Sequence, residues 1–187
     1  RLIREGKYTE AAQKLQDATR LLPNHAQAWN HLGLAHHGAG QVKLAFPAYQ
    51  RALSLDRNLA AARYNLGCLH LEQNNLPAAI AELTTFTVLS NKSVEGWLKL
   101  GTAQMRARQF DAAEKSLTTT LKLDQRQPEG WNNLGGVQLM RKRPRDAYLS
   151  FANALRVQTN CASALLNSAI LAQQHLNDRP LALQRYR

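Results

Sequence analysis

The sequence repeats itself at a fixed period, and this period limits the possible folds more than any other feature. Leu-Gly pairs recur whenever the residue number rises by 34, as Leu32-Gly33, Leu66-Gly67, Leu100-Gly101 and Leu134-Gly135. Trp97 and Trp131 are one period apart, and Trp29 lies two periods before Trp97. Such a chain is built from similar repeats placed side by side.

The second part of each period predicts a helix. Alanine recurs one period apart, at Ala11, Ala45, Ala79, Ala113 and Ala147. Four residues later comes a large apolar residue, at Leu15, Tyr49, Leu83, Leu117 and Phe151, and three residues after that come Ala18, Ala52, Phe86, Thr120 and Ala154. Spacings of three and four place side chains on one face of a helix. We therefore expect two amphipathic helices per repeat, with the first complete pair at about residues 26–39 and 43–55.

The prolines agree with this phase. Pro77, Pro144 and Pro180 fall where the second helix of a repeat should begin. A proline in the first turn costs little, because its missing N–H would have no partner there. Pro23 falls in a connection. Pro47 falls just inside a predicted second helix, where we expect a local bend or a shifted start.

The motif W-x-x-L-G followed by A-x-x-x-[FYL]-x-x-A, recurring at this period, resembles the tetratricopeptide repeat. The resemblance covers nearly the whole chain and implies an all-α fold, an α-solenoid in which helix-turn-helix hairpins stack into a right-handed superhelix. Arg63 and Leu165 stand where the motif has Trp. We expect a single domain with partial repeats at 1–25 and 162–187 and complete repeats at 26–59, 60–93, 94–127 and 128–161.

Each hairpin should depend on its neighbours for stability. A single hairpin cannot bury its apolar face, so the next hairpin must cover it. A glycine inside a helix costs about 1 kcal/mol relative to alanine, and the glycine of each Leu-Gly pair therefore needs a packing reason. We expect the two helices of each hairpin to touch closely at Gly33 and at its three equivalents.

The resemblance also implies a concave groove lined by the first helices. The position two residues before the repeated glycine carries His31, Asn65, Lys99, Asn133 and Asn167, which we call the polar row. Asparagine has poor helix propensity, and an amide offers a donor and an acceptor to a peptide main chain. We therefore predict peptide binding by the polar row, together with Asn30, Tyr64 and Asn132. In the alternative interpretation, the asparagines only cap or brace a neighbouring helix.

Positive charge is concentrated in one part of the chain. The chain has 24 Lys and Arg against 13 Asp and Glu, a net charge of +11. Residues 26–98 contain 5 basic and 4 acidic groups, whereas residues 99–145 contain 10 and 4. We call the cations at the hairpin turns of the second segment the basic edge: Arg106, Arg108, Arg141, Lys142, Arg143 and Arg145. This edge would attract an acidic partner and raise its association rate, or it would only keep the surface hydrated.

Other residue types give little support for a catalytic or metal site. Cys68 and Cys161 are too few and too far apart for a disulfide framework. His36 and His70 are one period apart, but a zinc site needs three or four well-placed ligands. We find no catalytic triad, carboxylate pair or glycine-rich phosphate loop, so we expect no enzyme activity, no cofactor, no metal and no small-molecule substrate.

The sequence favours a non-catalytic scaffold for protein–protein interaction, which binds a peptide segment or helix in its groove. The partner would be an acidic protein or peptide, an acidic filament or assembly component, or a second copy of the chain at the uncovered ends of the stack. One alternative is nucleic-acid binding, because the pI is about 10.2. It is less favoured, since the tryptophans belong to the repeat core. Another alternative is a targeting module of a larger enzyme.

The sequence constrains localisation weakly. No apolar run approaches the ~20 residues that cross a bilayer, and no charged and then apolar leader opens the chain. Residue 1 falls within the first helix of a repeat, so we expect the native start to be missing. The cytoplasm is favoured on these grounds.

Overall fold

A computed structural model describes residues 1–174, and within them it contains ten α-helices and no strand. The helices are α1 (Tyr8–Leu21), α2 (Ala26–Gly38), α3 (Val42–Leu55), α4 (Ala60–Glu72), α5 (Leu76–Leu89), α6 (Val94–Arg106), α7 (Phe110–Leu123), α8 (Pro128–Met140), α9 (Pro144–Val157) and α10 (Ala162–Gln174). The fold is an all-α solenoid of helical hairpins, which confirms the predicted fold class.

The helices fall into two compact halves. The N-terminal half, Arg1–Asn91, holds α1 to α5, and the C-terminal half, Lys92–Arg187, holds α6 to α10 within its described part. In the N-terminal half, α2 pairs with α3 and α4 with α5, and α2 packs against α4. In the C-terminal half, α6 pairs with α7 and α8 with α9, and α8 packs against both α6 and α10. The expectation of a single domain stays a prediction.

The second helices keep the predicted phase, including the helix that contains a proline. They begin one period apart, at Val42, Leu76, Phe110 and Pro144. Pro47 lies inside α3, which still begins in phase, so the expected shift of its start is wrong. Pro77 and Pro144 occupy the first turn of their helices, as predicted. Pro23 lies in the α1–α2 connection, and Pro180 lies outside the described residues.

The repeated glycines lie where the two helices of a hairpin touch, as predicted. A Cβ atom added to Gly33 would lie 2.6 Å from the ring of Tyr49, and one added to Gly135 would lie 2.5 Å from the ring of Phe151. Gly67 and Gly101 face Leu83 and Leu117 in the same way. All four facing side chains have 0% exposure. Any larger residue at these glycines would therefore collide with a side chain that has no free space around it.

In one repeat an arginine stands in place of the tryptophan and makes the same type of hydrogen bond. The indole Nε1 of Trp29 donates to the carbonyl oxygen of Pro23, six residues earlier, at 2.8 Å, and Trp131 bonds the carbonyl six residues before it at 2.9 Å. Arg63 donates from Nε and Nη2 to the equivalent carbonyl at 3.2 and 3.1 Å. Its Nη1 also donates to Glu82 at 2.7 Å. This departure from the motif therefore keeps the tie between the first helix and the connection before it.

Candidate functional site

The polar row lies on the first helix of each hairpin. His31 and Asn65 belong to α2 and α4 of the N-terminal half, and Lys99, Asn133 and Asn167 belong to α6, α8 and α10 of the C-terminal half. His31 is exposed and the other four side chains are partly exposed. Each half therefore presents its own part of the row to solvent.

An amide–amide hydrogen bond joins neighbouring first helices in the N-terminal half. Asn65 of α4 donates its Nδ2–H to Oδ1 of Asn30 on α2, at 3.0 Å. Asn30 is buried, with only 4% exposure. A buried amide needs a hydrogen-bond partner, and Asn65 supplies one.

The C-terminal half repeats this bond and adds a variant of it. Asn167 of α10 donates to Oδ1 of Asn132 on α8, at 2.9 Å. Asn133 donates to Oγ1 of Thr102 on α6, at 3.0 Å. By the spacing of the other two bonds its acceptor would be residue 98, which is Leu98 and has no side-chain acceptor, so Asn133 reaches Thr102 one turn further along. We call these three bonds the amide ladder.

The amide ladder braces neighbouring hairpins, as in the alternative interpretation of the asparagines. Each donation uses one of the two N–H groups of an amide. The remaining amide atoms of Asn65 and Asn167 make no hydrogen bond to any residue in the described part of the chain. In those two side chains, a donor and an acceptor therefore remain after bracing. The role of Thr102 as the acceptor of Asn133 was not predicted, because it depends on the residue one turn before it.

The other predicted groove residues have mixed surroundings. The ring of Tyr64 lies 5.0 Å from the ring of Phe86 and is tilted by 53°, which ties α4 to α5. His31 borders a cavity of about 600 Å³ in the N-terminal half, where Leu15 and Leu34 supply apolar surface and Arg4 is also present. His31 therefore lies beside an apolar depression with a basic neighbour.

The turn inside each hairpin uses a left-handed residue at one fixed position. Within residues 1–174, positive φ angles occur one period apart, at Gly6, Gly40, Asn74, Arg108 and Lys142. Glycine adopts this conformation without strain and asparagine tolerates it. Arg108 and Lys142 adopt it at φ 59° and 60°, although long side chains are disfavoured there. Two members of the basic edge therefore project from strained turns.

Carboxylates of the chain already engage part of the basic edge. Arg141 lies 2.5 Å from Asp111 and 2.7 Å from Glu114. Arg143 bonds Glu114 and lies 3.6 Å from Asp146. The hydrogen bond to Glu114 raises the pKa of Arg143 above its ordinary value. These two arginines are therefore less available to a partner than the sequence suggested.

The remaining cations of the edge differ in their surroundings. The guanidinium of Arg108 lies 5.9 Å from the centre of the Phe110 ring. Lys142 and Arg145 are exposed and have no carboxylate partner among the described residues. Arg106 is exposed as well. Arg108, Lys142 and Arg145 are therefore the members of the edge best placed to attract an acidic molecule.

The histidines make pairwise contacts. His37 Nε2 lies 2.8 Å from Glu72 Oε2, which links α2 to α4, and His36 Nδ1 lies 2.7 Å from the side-chain oxygen of Gln41. His70 packs on the Phe46 ring with its Nδ1 buried and without a hydrogen-bond partner, and burial lowers its pKa. In the described part of the chain, no three His, Cys, Asp or Glu residues come together as a metal site would require.

None of the helices described is both long and apolar enough to span a membrane.

The chain matches one family model and several solved structures. Residues 3–177 match the model described as the C-terminal domain of cilia and flagella-associated protein 70, a tetratricopeptide-repeat domain. The structure of Pseudomonas aeruginosa PilF is 21% identical, with a TM-score of 0.84 over 98% of this chain and 83% of that one. YrrB, described as a tetratricopeptide-repeat protein with an unusual peptide-binding site, is 19% identical, with a TM-score of 0.79 over 94% and 90%. MamA is 21% identical, with a TM-score of 0.78 over 83% and 90%. No curated protein matches by sequence.

Proposed function

Because the chain belongs to the tetratricopeptide-repeat family, within the group of the cilia and flagella-associated protein 70 C-terminal domain, we propose that it is a non-catalytic scaffold for protein–protein interaction. The polar row binds the main chain of an extended peptide segment. The basic edge favours a partner that carries acidic residues. The similarity to YrrB, whose description names a peptide-binding site, agrees with this assignment.

The proposal rests on the amide groups of Asn65 and Asn167 that, within residues 1–174, remain free after the ladder bonds are made. The ladder bonds fix the side chains of Asn65 and Asn167. Each then holds one N–H and one carbonyl oxygen in a fixed direction, and a peptide unit needs one acceptor and one donor. Fixing these groups before binding removes part of the entropy cost of association. Leu166, beside Asn167, is 51% exposed and offers apolar contact to a peptide side chain.

The basic edge adds selectivity for charge. Lys142 and Arg145 lie at the α8–α9 turn and its following helix, exposed to solvent. Attraction at such exposed positions acts mainly on the association rate and weakens with salt. We therefore assign peptide holding to the polar row and partner steering to the edge.

The test is a triple replacement, Asn65→Ala, Asn133→Ala and Asn167→Ala, in the full chain. Extended peptides that bind the unaltered protein are first selected on a peptide array. Their affinities are then measured by fluorescence polarisation for both proteins. We expect the triple variant to lose binding. Its circular dichroism should keep the helical signal, because alanine is the better helix former, although the unpaired carbonyl of Asn30 lowers the free energy of unfolding by about 1–3 kcal/mol.

A second measurement distinguishes main-chain from side-chain recognition. The selected peptides are resynthesised with N-methyl groups on the backbone amides. This change removes the N–H donors whose hydrogen bonds the asparagine carbonyls would accept. Affinity should fall for the unaltered protein. Equal affinity for the triple variant, or for the methylated peptides, would contradict binding by the polar row.

A further inference from the structure

A second concave surface lies between α7 and α9 in the C-terminal half. Both helices pack against α8, which supplies the floor between them. A cavity of about 410 Å³ occupies this space, with Thr118 and Lys122 on the α7 side, Trp131 at the floor, and Asn153 and Arg156 on the α9 side. We call this surface the outer groove. It is made largely by second helices and contains no member of the polar row, and the only member of the basic edge near it is Arg141, in the cavity that adjoins it.

The outer groove continues along α7. A neighbouring cavity of about 630 Å³ also contains Thr118 and Lys122, and it extends to Lys115 and Arg141. The two cavities together form an elongated surface. Two adjoining depressions suit a peptide segment better than a small molecule, which would normally need a single enclosed site.

The floor of the outer groove is apolar. Leu121 and Leu134 line it with 5% and 7% exposure, so only a small part of each side chain can be touched. Trp131 is partly exposed, and its indole N–H is already donated to the carbonyl oxygen of Gln125 at 2.9 Å. The ring therefore offers an incoming side chain apolar and π surface and no free donor.

The rim carries cations that the chain does not neutralise. Lys122 and Arg156 are exposed and one period apart, and Lys115 is exposed one helix turn beyond the groove. No carboxylate within residues 1–174 pairs with any of these three. The acidic groups of the adjoining cavity, Asp111 and Glu114, both bind Arg141. The outer groove therefore has a local positive charge without an internal counter-ion.

We propose that the outer groove binds an acidic peptide segment with an apolar side chain near its centre. The apolar side chain packs on Trp131, and flanking carboxylates lie near Lys122 and Arg156. Asn153 offers an amide to the main chain between them. This binding site is separate from the polar row, so one scaffold can hold two segments.

The same surface is less suited to nucleic acid. A single strand requires a continuous basic track and stacking rings for successive bases. Trp131 supplies one partly exposed ring in this groove. The carboxylate of Asp111, whose side chain is 82% exposed, lies in the adjoining cavity and would repel closely spaced phosphates. A peptide can place its carboxylates at the cations alone.

The binding test uses a fluorescein-labelled peptide with a central Leu, one Glu on each side of it and otherwise uncharged residues, and a matched peptide with Gln in place of Glu. Fluorescence polarisation at low salt should show binding of the Glu peptide. Lys122→Glu with Arg156→Glu should weaken it about tenfold, which is about 1.4 kcal/mol, because two attractions become two repulsions. Both residues are exposed, so the variant should keep its helical signal.

Two variants separate the groove from net charge. Lys43→Glu with Arg51→Glu makes the same charge change at exposed positions of α3 in the N-terminal half and should leave affinity within about twofold. Thr118→Phe places a ring in the groove without changing charge and should also weaken binding about tenfold or more. The proposal would be overturned if the α3 variant lost as much affinity as the groove variants, or if both groove variants kept the affinity of the unaltered protein.

Two further measurements distinguish this proposal from its alternatives. The triple asparagine variant should bind the Glu peptide as well as the unaltered protein does, so the outer groove can stand even if the polar row fails. A labelled single-stranded oligonucleotide should bind no better than the Gln peptide. The oligonucleotide could bind in a way that Lys122→Glu with Arg156→Glu abolishes. That result would assign the groove to nucleic acid and refute the proposal of peptide binding.

Discussion

Two adjacent glycines of α8 should respond in opposite ways to the same substitution. Gly135 and Gly136 both lie in the helix interior, where replacement by alanine gains about 1 kcal/mol of helix propensity. A Cβ atom at Gly136 would have Met105 Sδ as its nearest neighbour, at 3.6 Å, an ordinary contact. A Cβ atom at Gly135 would lie 2.5 Å from the ring of Phe151, which is fully buried.

The expected magnitudes follow from these distances. Gly136→Ala should raise the free energy of unfolding by up to about 1 kcal/mol. Gly135→Ala gains the same propensity but forces an overpacked contact, which typically costs about 1–3 kcal/mol. The collision lies at the severe end of that range, because the ring cannot move into free space. We therefore expect a net loss of about 1–2 kcal/mol, and a difference between the two variants of about 2–3 kcal/mol.

Urea denaturation followed by circular dichroism measures both variants. The comparison is valid if m, the slope of the unfolding free energy against urea concentration, is unchanged. The midpoints then report stability alone. Equal stabilisation by both single substitutions would refute the view that the repeated glycine is required by close packing.

Two further predictions concern the hairpin turn and a buried histidine. Lys142→Gly should raise the free energy of unfolding by about 0.5–1 kcal/mol, because glycine relieves the left-handed strain but loses more chain entropy on folding. Lys142→Ala keeps the left-handed strain and should not stabilise the protein. If urea denaturation showed equal stability for the alanine and glycine variants, relief of strain would be excluded as the cause. Burial lowers the pKa of His70 in the folded chain, so its neutral form favours folding above an unfolded pKa of about 6.5, and that contribution is lost as pH falls below it. The urea midpoint should therefore fall on acidification, and His70→Gln should flatten the dependence. Glu82, which opposes the shift, stays in place in both proteins.

The regular part of the fold could be predicted because it depends on local patterns. Residues at short helical spacings and at the repeat period define the helix faces, and the Ala45 and Tyr49 positions are fully buried in the structure. The close contact at Gly33 followed from the cost of glycine in a helix, which requires a packing partner. These inferences need only the chain within one hairpin.

Features that depend on two hairpins, or on one backbone angle, were not predictable in the same way. The left-handed turn position holds Gly40, Asn74 and Lys142 in different repeats, so no single residue type marks it. The pairing of Arg141 with Glu114 joins residues 27 apart whose approach depends on how neighbouring hairpins pack. Asn133 donates to Thr102 because Leu98, which has no side-chain acceptor, stands where other hairpins have Asn30 and Asn132.

The amide ladder limits the type of ligand that the polar row can hold. A ligand that took the ladder N–H of Asn65 would leave the carbonyl of Asn30 buried without its donor, at a cost of about 1–3 kcal/mol. The favourable ligand must instead use the second N–H and the carbonyl oxygen of the same amide. At each of these amides the ligand must therefore supply an acceptor and a donor close together, and without charge, because a carboxylate would find no cationic donor on the amide and would face its carbonyl oxygen. A peptide main chain meets that requirement, whereas acidic side chains do not. The acidic character of a partner would consequently be recognised at the cations, and its main chain at the polar row.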